Sequence, residues 1–411
     1  MPDVLGQVLR DDWGRLLGRL IRGSGRPDLA EDALAEAFVQ AAEQWHGREV
    51  PANPAGWLAT TAQRRLIDAQ RSEARRRAPE FRRAVASGAS VQPVVATPGD
   101  DVDDRMALLF MATHPALAED VRPALALRFV LGIPTEVIAR LFLVPTPTMA
   151  ARLTRAKRRL AEIGAAFRVP APATWPERVD DVAHAIYLGF TAGYAPGGDE
   201  RRRTADATDA VRLAVLAADL LPGQPVLEAL AALVLLHHSR RDARFAPDGT
   251  LVLLADQDRT RWRGDEIAAG LRRLTALPPT VGYAEELRLQ ALIAAFHATA
   301  ATASETDWAG IARAYRRLEQ LTGSPIVRLN RAVAVGEVYG AAAGLALLRA
   351  AGERLPGHHR VALVRAELLA RDGRVDEAAA AYREALAAVG EGAERNHIAL
   401  RLARLEGRGG P

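Results

Sequence analysis

Residues 28–38 read Asp-Leu-Ala-Glu-Asp-Ala-Leu-Ala-Glu-Ala-Phe, and their pattern indicates the class of fold. Apolar residues recur every three or four positions from Leu29 to Ala41, and the acidic residues occupy the opposite face. This period is typical of an amphipathic α-helix, and it recurs through most of the chain. We therefore predict an all-α fold. A short extended segment is expected only at residues 245–255, where a Pro-Asp-Gly turn precedes an apolar run.

The composition excludes several classes of protein. The 411 residues include no cysteine, which removes disulfides, thiolate metal sites and cysteine nucleophiles, and 49% are hydrophobic, which is ample for folded cores. Neither a long uncharged apolar run nor a signal-peptide pattern is present, so we expect a cytoplasmic protein with no membrane partner. No Gly-x-Ser-x-Gly or His-Glu-x-x-His motif occurs, and the adjacent histidines at 237–238 and 358–359 point to different sides of a helix. We expect no enzyme, catalytic residue, metal or cofactor.

Charge is segregated along the first 165 residues. The net charge is a mild +4, with 54 basic residues of which Lys157 is the only lysine. Residues 27–47 carry acids and no Lys or Arg, residues 64–83 carry eight arginines against three acids, and residues 152–159 carry five cations and no acid. This division indicates two nucleic-acid-facing helices and one acidic, protein-facing helix, although ordinary solvated faces are the alternative for any single helix.

The chain divides into four parts by its composition and periodicity. Two helical parts, residues 1–83 and 104–168, are separated by residues 84–103, which have no period and contain Gly, Ser and Pro, and are predicted to be a flexible linker. Residues 169–411 form a longer helical part. Within it, a displacement of 34 residues places Leu329 on Leu363, which is the period of a tetratricopeptide repeat, so we predict tetratricopeptide-like repeats at about 306–405.

A helix-turn-helix is predicted at residues 133–160. The first helix follows Pro134, Val144-Pro145 makes the turn, and Thr146 is the predicted N-cap of the second helix. One face of that helix is apolar and another carries cations, which is what a recognition helix needs to dock on its domain and reach the major groove. The predicted DNA-binding residues of this helix are Thr148, Arg152, Arg155, Lys157 and Arg159.

The first two helical parts resemble a bacterial protein family. Residues 28–38, 53–58 (Asn-Pro-Ala-Gly-Trp-Leu) and 64–71 (Arg-Arg-Leu-Ile-Asp-Ala-Gln-Arg) resemble region 2 of extracytoplasmic-function sigma factors, and residues 149–160 resemble their region 4. The long extension resembles the sub-group with a large C-terminal helical domain. The resemblance implies two small helical sigma domains joined by a linker and followed by a larger helical domain.

This resemblance also implies partners and site residues. Region 2 would bind core RNA polymerase and open the −10 element of promoter DNA, and region 4 would read the −35 element. Glu31, Asp32 and Glu36 would then face the polymerase. The residues that would face the −10 element are Trp57, Thr60, Thr61, Arg64, Arg65 and Arg71.

Some residues depart from the common pattern of the family or keep a second interpretation open. Many relatives have Asn where this chain has Arg65, and Pro145 and Pro147 are unusual at the start of a recognition helix. These departures bear on the promoter sequence preference more than on the class of activity. Trp57 is equally compatible with a core aromatic.

Three functions remain open at this point. The leading hypothesis is a sigma factor whose C-terminal domain modulates activity in cis and contacts a regulatory protein. The alternatives are a one-component helix-turn-helix regulator with a helical sensor domain, and a tetratricopeptide-like interaction scaffold.

Overall fold

A computed structural model of the chain describes residues 4–45, 50–85, 101–194, 200–246, 251–390 and 393–407. Within these ranges the regular structure is helical, apart from one isolated antiparallel bridge between Phe245 and Leu251. The predicted all-α class is confirmed, and the bridge lies where the extended segment was expected. The chain forms two compact units, Met1–Ala192 and Gly193–Pro411, which are described separately.

The first unit consists of eight α-helices among the described residues. The third helix starts where the sequence predicts, because Pro54 is its first residue and the Asn53 side chain accepts a hydrogen bond from the Gly56 N–H at 2.9 Å. Most of the predicted linker, residues 86–100, lies outside the described residues, and the predicted domain limits stay predictions. The helices are α1 (Val4–Ser24), α2 (Pro27–Trp45), α3 (Pro54–Val85), α4 (Asp101–Ala112), α5 (Arg122–Leu131), α6 (Thr135–Leu141), α7 (Thr146–Glu162) and α8 (Val179–Tyr194).

The core of the first unit is centred on Trp13 of α1. Its ring lies 5.6 Å from that of Phe38 in α2, and its Nε1 donates a hydrogen bond to the Arg128 carbonyl of α5 at 3.0 Å. Gly132 ends α5 with a left-handed φ of 62°, and its N–H bonds to the Leu127 carbonyl. A Cβ on Gly132 would stand only 2.8 Å from the Trp13 ring, so the tryptophan fits because this residue is glycine.

The helix-turn-helix is formed by α6 and α7, and one detail of its prediction is wrong. Thr146 is the first residue of α7 and not its N-cap. Pro145, with extended backbone angles of φ −59° and ψ 142°, occupies the cap position, and its carbonyl accepts the first helical hydrogen bond from Met149 at 3.1 Å. The ring of Pro145 holds φ in the range that an N-cap residue needs. The apolar face is confirmed as buried: Met149, Leu153, Ala156 and Leu160.

The second unit is built around one apolar helix. Every residue of α10 from Val226 to Leu236 except Glu228 is buried, as expected for a helix packed on all sides. Short 3-10 turns at Arg241–Ala243, Leu254–Asp256 and Arg259–Arg261 lead from it to α11, and another lies at Ala303–Glu305. The α-helices are α9 (Glu200–Leu220), α10 (Pro225–His238), α11 (Gly264–Ala276), α12 (Gly282–Thr299), α13 (Trp308–Thr322), α14 (Pro325–Tyr339), α15 (Ala341–Gly352), α16 (His359–Arg371), α17 (Val375–Ala388) and α18 (Ala393–Gly407).

Helical hairpins make up the end of the second unit. The helices α14 and α16 begin at Pro325 and His359, and their partners α15 and α17 begin at Ala341 and Val375, so both starts repeat after 34 residues. Gly344 lets α15 cross α14 closely, since a Cβ there would lie 2.8 Å from the Ala332 carbonyl oxygen. The 34-residue period is therefore present in the helices, while the tetratricopeptide-like assignment stays a prediction. None of the described helices is long and apolar enough to cross a membrane.

Candidate nucleic-acid interface

The recognition-helix candidate α7 exposes most of the residues predicted to contact DNA. Thr148, Arg155 and Arg159 are exposed, because they lie opposite the buried apolar face. Arg152 is half-buried, with its Nη1 3.3 Å from the Asp120 carboxylate. Guanidinium groups on an exposed helix face suit phosphates and the O6 and N7 atoms of guanine. The neighbouring Arg158 is also exposed and was not among the predicted contacts.

Lys157 does not lie with these exposed side chains. It is 8% exposed, and its Nζ is 2.6 Å from both Glu31 Oε2 and Asp32 Oδ1. The position follows from helical geometry, since Lys157 stands four residues after Leu153 and three before Leu160 and shares their buried face. The lysine predicted to contact DNA therefore contacts α2 in this arrangement.

The acidic face of α2 divides into a buried and an exposed part. Glu31 is 3% exposed, and its Oε1 accepts bonds from Arg128 Nε at 2.7 Å and Nη2 at 2.6 Å. Asp32 is largely exposed, and Glu36 is 61% exposed and bonded to Arg65 Nη1 at 2.5 Å. Of the three acids predicted to face a polymerase, Glu36 and Asp32 are accessible to a protein partner and Glu31 is covered.

The buried charges are mutually stabilised. Burial alone would raise the pKa of Glu31, but the charges and hydrogen bonds of Arg128 and Lys157 outweigh it and lower that pKa. Burial also works against the charged form of Lys157, and the two carboxylates reverse this and raise its pKa. For Asp32, partial burial of the carboxylate beside Lys157, together with the adjacent Glu31, raises the pKa in spite of the hydrogen bond from Lys157. Sequence reasoning missed Arg128, since nothing local links it to Glu31.

The predicted −10 residues lie along the first half of α3. Thr60, Arg64 and Arg71 are exposed, and Trp57, Thr61 and Arg65 are half-buried. The Trp57 ring packs edge-on against Trp45 with centroids 5.4 Å apart, so it is a partly covered aromatic beside an exposed arginine row. Arg65 is bonded to Glu36 and, through Nη2, to Gln40 Oε1 at 2.9 Å. An aromatic face next to cations suits an unstacked base and its phosphates.

The second unit has one buried histidine, His238, and two half-buried ones, His237 and His297, on α10 and α12. His238 is 2% exposed, as expected for a core histidine, with Nδ1 3.0 Å from Glu266 Oε2 and Nε2 3.0 Å from Thr208 Oγ1. Burial, with Arg240, Arg244 and His297 nearby, lowers the pKa of His237 to about 3. Burial and the charges of Arg240 and Arg259 lower the pKa of His297 to about 4. The two residues with lowered pKa values are therefore neutral at physiological pH.

These low pKa values predict an acid-sensitive second unit. In the unfolded chain His237 and His297 bind protons near pH 6.5, whereas in the folded chain they do so only at about 3 and 4. Below pH 6.5 the unfolded state binds more protons than the folded state, so the free energy of unfolding decreases as the pH is lowered. The expected decrease between pH 7.5 and pH 5 is on the order of 1–2 kcal/mol per histidine. This loss of stability is measured by hydrogen exchange of peptides from α10 and α12 in the full chain at pH 7.5 and at pH 5. His297→Leu should reduce this pH dependence, because it removes one of the two histidines with a lowered pKa. If the stability of His297→Leu changes with pH as much as that of the parent, His297 does not contribute to the acid sensitivity.

Comparison with known proteins gives two family matches and one long relative. Residues 11–76 match the Sigma-70 region 2 family, and residues 178–277 match a family of unknown function, DUF6596. An uncharacterized protein of Rhizobium meliloti (strain 1021) is 37% identical over 395 residues, which cover 95% of this chain and 93% of that protein. No solved structure matches the chain. The first match contains α2 and most of α3, the helices that hold the predicted polymerase-facing and −10-facing residues.

Proposed function

We propose a specific function for this chain, which is a sigma-factor-like protein and belongs to one family with the Rhizobium meliloti protein. The proposed protein is a sigma factor of the extracytoplasmic-function type, which binds core RNA polymerase and directs transcription from particular promoters. The observation that carries the proposal is the match of residues 11–76 to Sigma-70 region 2, followed by a helix-turn-helix whose second helix exposes an arginine face.

Each part of the first unit has a proposed role. The exposed Asp32 and Glu36 of α2 bind the polymerase, and the arginine row of α3 with Trp57 holds the melted −10 strand. The exposed Thr148, Arg155 and Arg159 of α7 contact the −35 duplex, with Arg152 at their edge. Glu31 and Lys157 belong to the same two surfaces but contact each other in the described arrangement.

The proposed in-cis role of the C-terminal region is supported by the way α8 is anchored. Arg122 Nη1 of α5 is 2.7 Å from the Asp181 carboxylate of α8. Arg178 donates to the Phe110 carbonyl of α4, and its guanidinium lies 5.0 Å above the Phe110 ring. The DUF6596 match begins at residue 178, at the start of α8. The segment that matches this family is therefore attached to α4 and α5, which belong to the same helical part as the proposed −35 helix α7. The C-terminal helical domain, with tetratricopeptide-like hairpins, then modulates activity and binds a regulatory protein.

Reconstituted transcription tests the proposal. Purified full-length chain is added to core RNA polymerase with genomic promoter fragments, and new transcript starts are mapped. We expect new starts with a common −35 sequence. If the chain binds duplex DNA but never changes the transcript starts of the core enzyme, the sigma-factor proposal is wrong and a one-component regulator is the better interpretation. If the chain binds neither duplex DNA nor core polymerase, an interaction scaffold is the better interpretation.

Arg155→Ala tests the recognition helix. Because Arg155 is exposed on the cationic face, we expect a loss of about 1–3 kcal/mol in binding to the −35 duplex if it reads a base edge. Binding titrations with matched and altered −35 sequences measure the loss. Arg272→Ala, at an exposed arginine of α11, is the control and should bind as the parent does. An equal loss on every sequence would assign Arg155 to a phosphate contact, and no loss would remove it from the interface.

A further inference from the structure

A cavity lies between the recognition-helix candidate α7 and the turn that joins α4 to α5. Its volume is about 270 Å³, and Arg152, Arg155 and Arg159 of α7 line it together with Asp120 of the turn. Three cations therefore face one acid in a concave site. An excess of charge of one sign in a cleft concentrates the field there, so this cavity suits an anion.

The turn that carries Asp120 is held in place by a side chain of α5. Arg122 Nε donates to the Leu117 carbonyl at 3.1 Å, and Arg122 Nη2 donates to the Pro115 carbonyl at 3.2 Å. The Leu117 side chain is buried and also lines the cavity. These contacts fix the turn beside α7, so the cavity is formed before a ligand enters it.

The carboxylate of Asp120 shows where an anion pairs with α7. It lies 3.3 Å from Arg152 Nη1, and the side chains of Asp120 and Arg152 are 64% and 32% exposed. A carboxylate and a phosphate both accept from a guanidinium group with the same fork-like geometry. An ion pair this exposed is weak, so a phosphate that enters the cavity displaces the carboxylate into solvent.

The other two arginines of the cavity have donors to spare. Arg155 and Arg159 are exposed, and neither has an ion-pair partner within the part of the chain that the structure describes. Arg159 stands seven residues after Arg152, which is about two helical turns, so both side chains project from the same side of α7. One anion in the cavity therefore meets a second guanidinium group besides that of Arg152.

From these observations we infer that the cavity binds one backbone phosphate of duplex DNA, and that Asp120 competes with this phosphate for Arg152. The inference rests on the proposed function, since it requires α7 to lie against a duplex. Phosphate contacts position a protein on DNA without reading its sequence, so Asp120 lowers the affinity for every duplex. Binding to unrelated DNA depends almost entirely on such contacts, and Asp120 thereby limits it.

Matched substitutions in the turn test this competition. Asp120→Asn and Glu119→Gln each remove one negative charge at adjacent exposed positions, but only Asp120 lines the cavity. We expect Asp120→Asn in the full chain to bind duplex DNA about five-fold more tightly, which is the effect of two unit charges about 4 Å apart in water. Glu119→Gln should stay within about two-fold of the parent, because salt screens a charge outside the cavity. Titrations with a −35 duplex and with an unrelated duplex measure both. Equal gains for the two variants, or no gain for Asp120→Asn, would overturn the inference.

Neutral methylphosphonate links, placed one at a time in the −35 duplex, then identify the phosphate. We expect one position at which the neutral link weakens binding of the parent about ten-fold or more, as for the loss of a hydrogen bond to a charged group. At that position Asp120→Asn should lose its gain, because no charge is left to repel, and Arg159→Ala should be less sensitive than the parent. A gain that persists at every position would show that Asp120 does not compete with a duplex phosphate, and would overturn the inference while the sigma factor stands. Failure of the parent to bind any duplex would overturn both.

Discussion

Glu31→Gln is expected to lower the free energy of unfolding of the first unit by about 3 kcal/mol. The glutamine has the size of glutamate but no charge, so Arg128 and Lys157 lose their shared buried carboxylate. Breaking a buried pair is costly because the remaining charges stay desolvated. Hydrogen exchange of peptides from α2 and α5 in the full chain, without polymerase or DNA, reports the change locally.

Glu36→Gln provides the matched control for this substitution. It makes the same chemical change on the same helix, but Glu36 is 61% exposed and its partner Arg65 is also partly exposed. Exposed pairs contribute below about 1 kcal/mol, so this variant should stay close to the parent. If the two variants lose the same amount, the buried pairs do not stabilise the contact between the first two helical parts.

Gly132→Ala is expected to destabilise the first unit by about 2–5 kcal/mol. The left-handed φ of 62° costs an alanine about 1–2 kcal/mol, and its Cβ would press on the Trp13 ring from 2.8 Å. Overpacking of this kind costs about 1–3 kcal/mol more, because the indole cannot move without losing its bond to the Arg128 carbonyl. Urea unfolding of the full chain, followed by near-ultraviolet circular dichroism, measures the loss.

Gly164→Ala separates the two contributions. Gly164 has nearly the same left-handed φ, 58°, but nothing lies within 4 Å of the added Cβ. We expect only the backbone cost of about 1–2 kcal/mol at this position. A loss at Gly132 no larger than that at Gly164 would show that Trp13 adjusts to the methyl group without cost.

Local periodicity in the sequence predicted much of this fold. The start of α3 at Asn53-Pro54 and the buried face of α7 follow from capping and from the 3.6-residue period, and both are found. The N-cap of α7 was misplaced by one residue, because Pro145 satisfies the same backbone requirement as the threonine that follows it.

The candidate site was less predictable because its decisive contacts are remote in the chain. Glu31 is 97 residues from Arg128 and 126 residues from Lys157, and no local pattern encodes such pairing. Cationic residues on α7 look alike in sequence, yet Arg155 is exposed and Lys157 is buried. The spacing of Lys157 from Leu153 and Leu160 is the signal that separates them, and it competes with the expectation that a charged residue faces solvent.

The single lysine gives the chain one internal amine for chemical labelling. Amine reagents attack the neutral form of lysine, and the raised pKa of Lys157 together with its burial between two carboxylates makes that form scarce and inaccessible. Apart from the N-terminal amine, labelling of this protein therefore reports on one atom. The rate at which Lys157 Nζ is methylated or acylated therefore measures how often α7 separates from α2. Mass spectrometry measures this rate without any substitution in the chain.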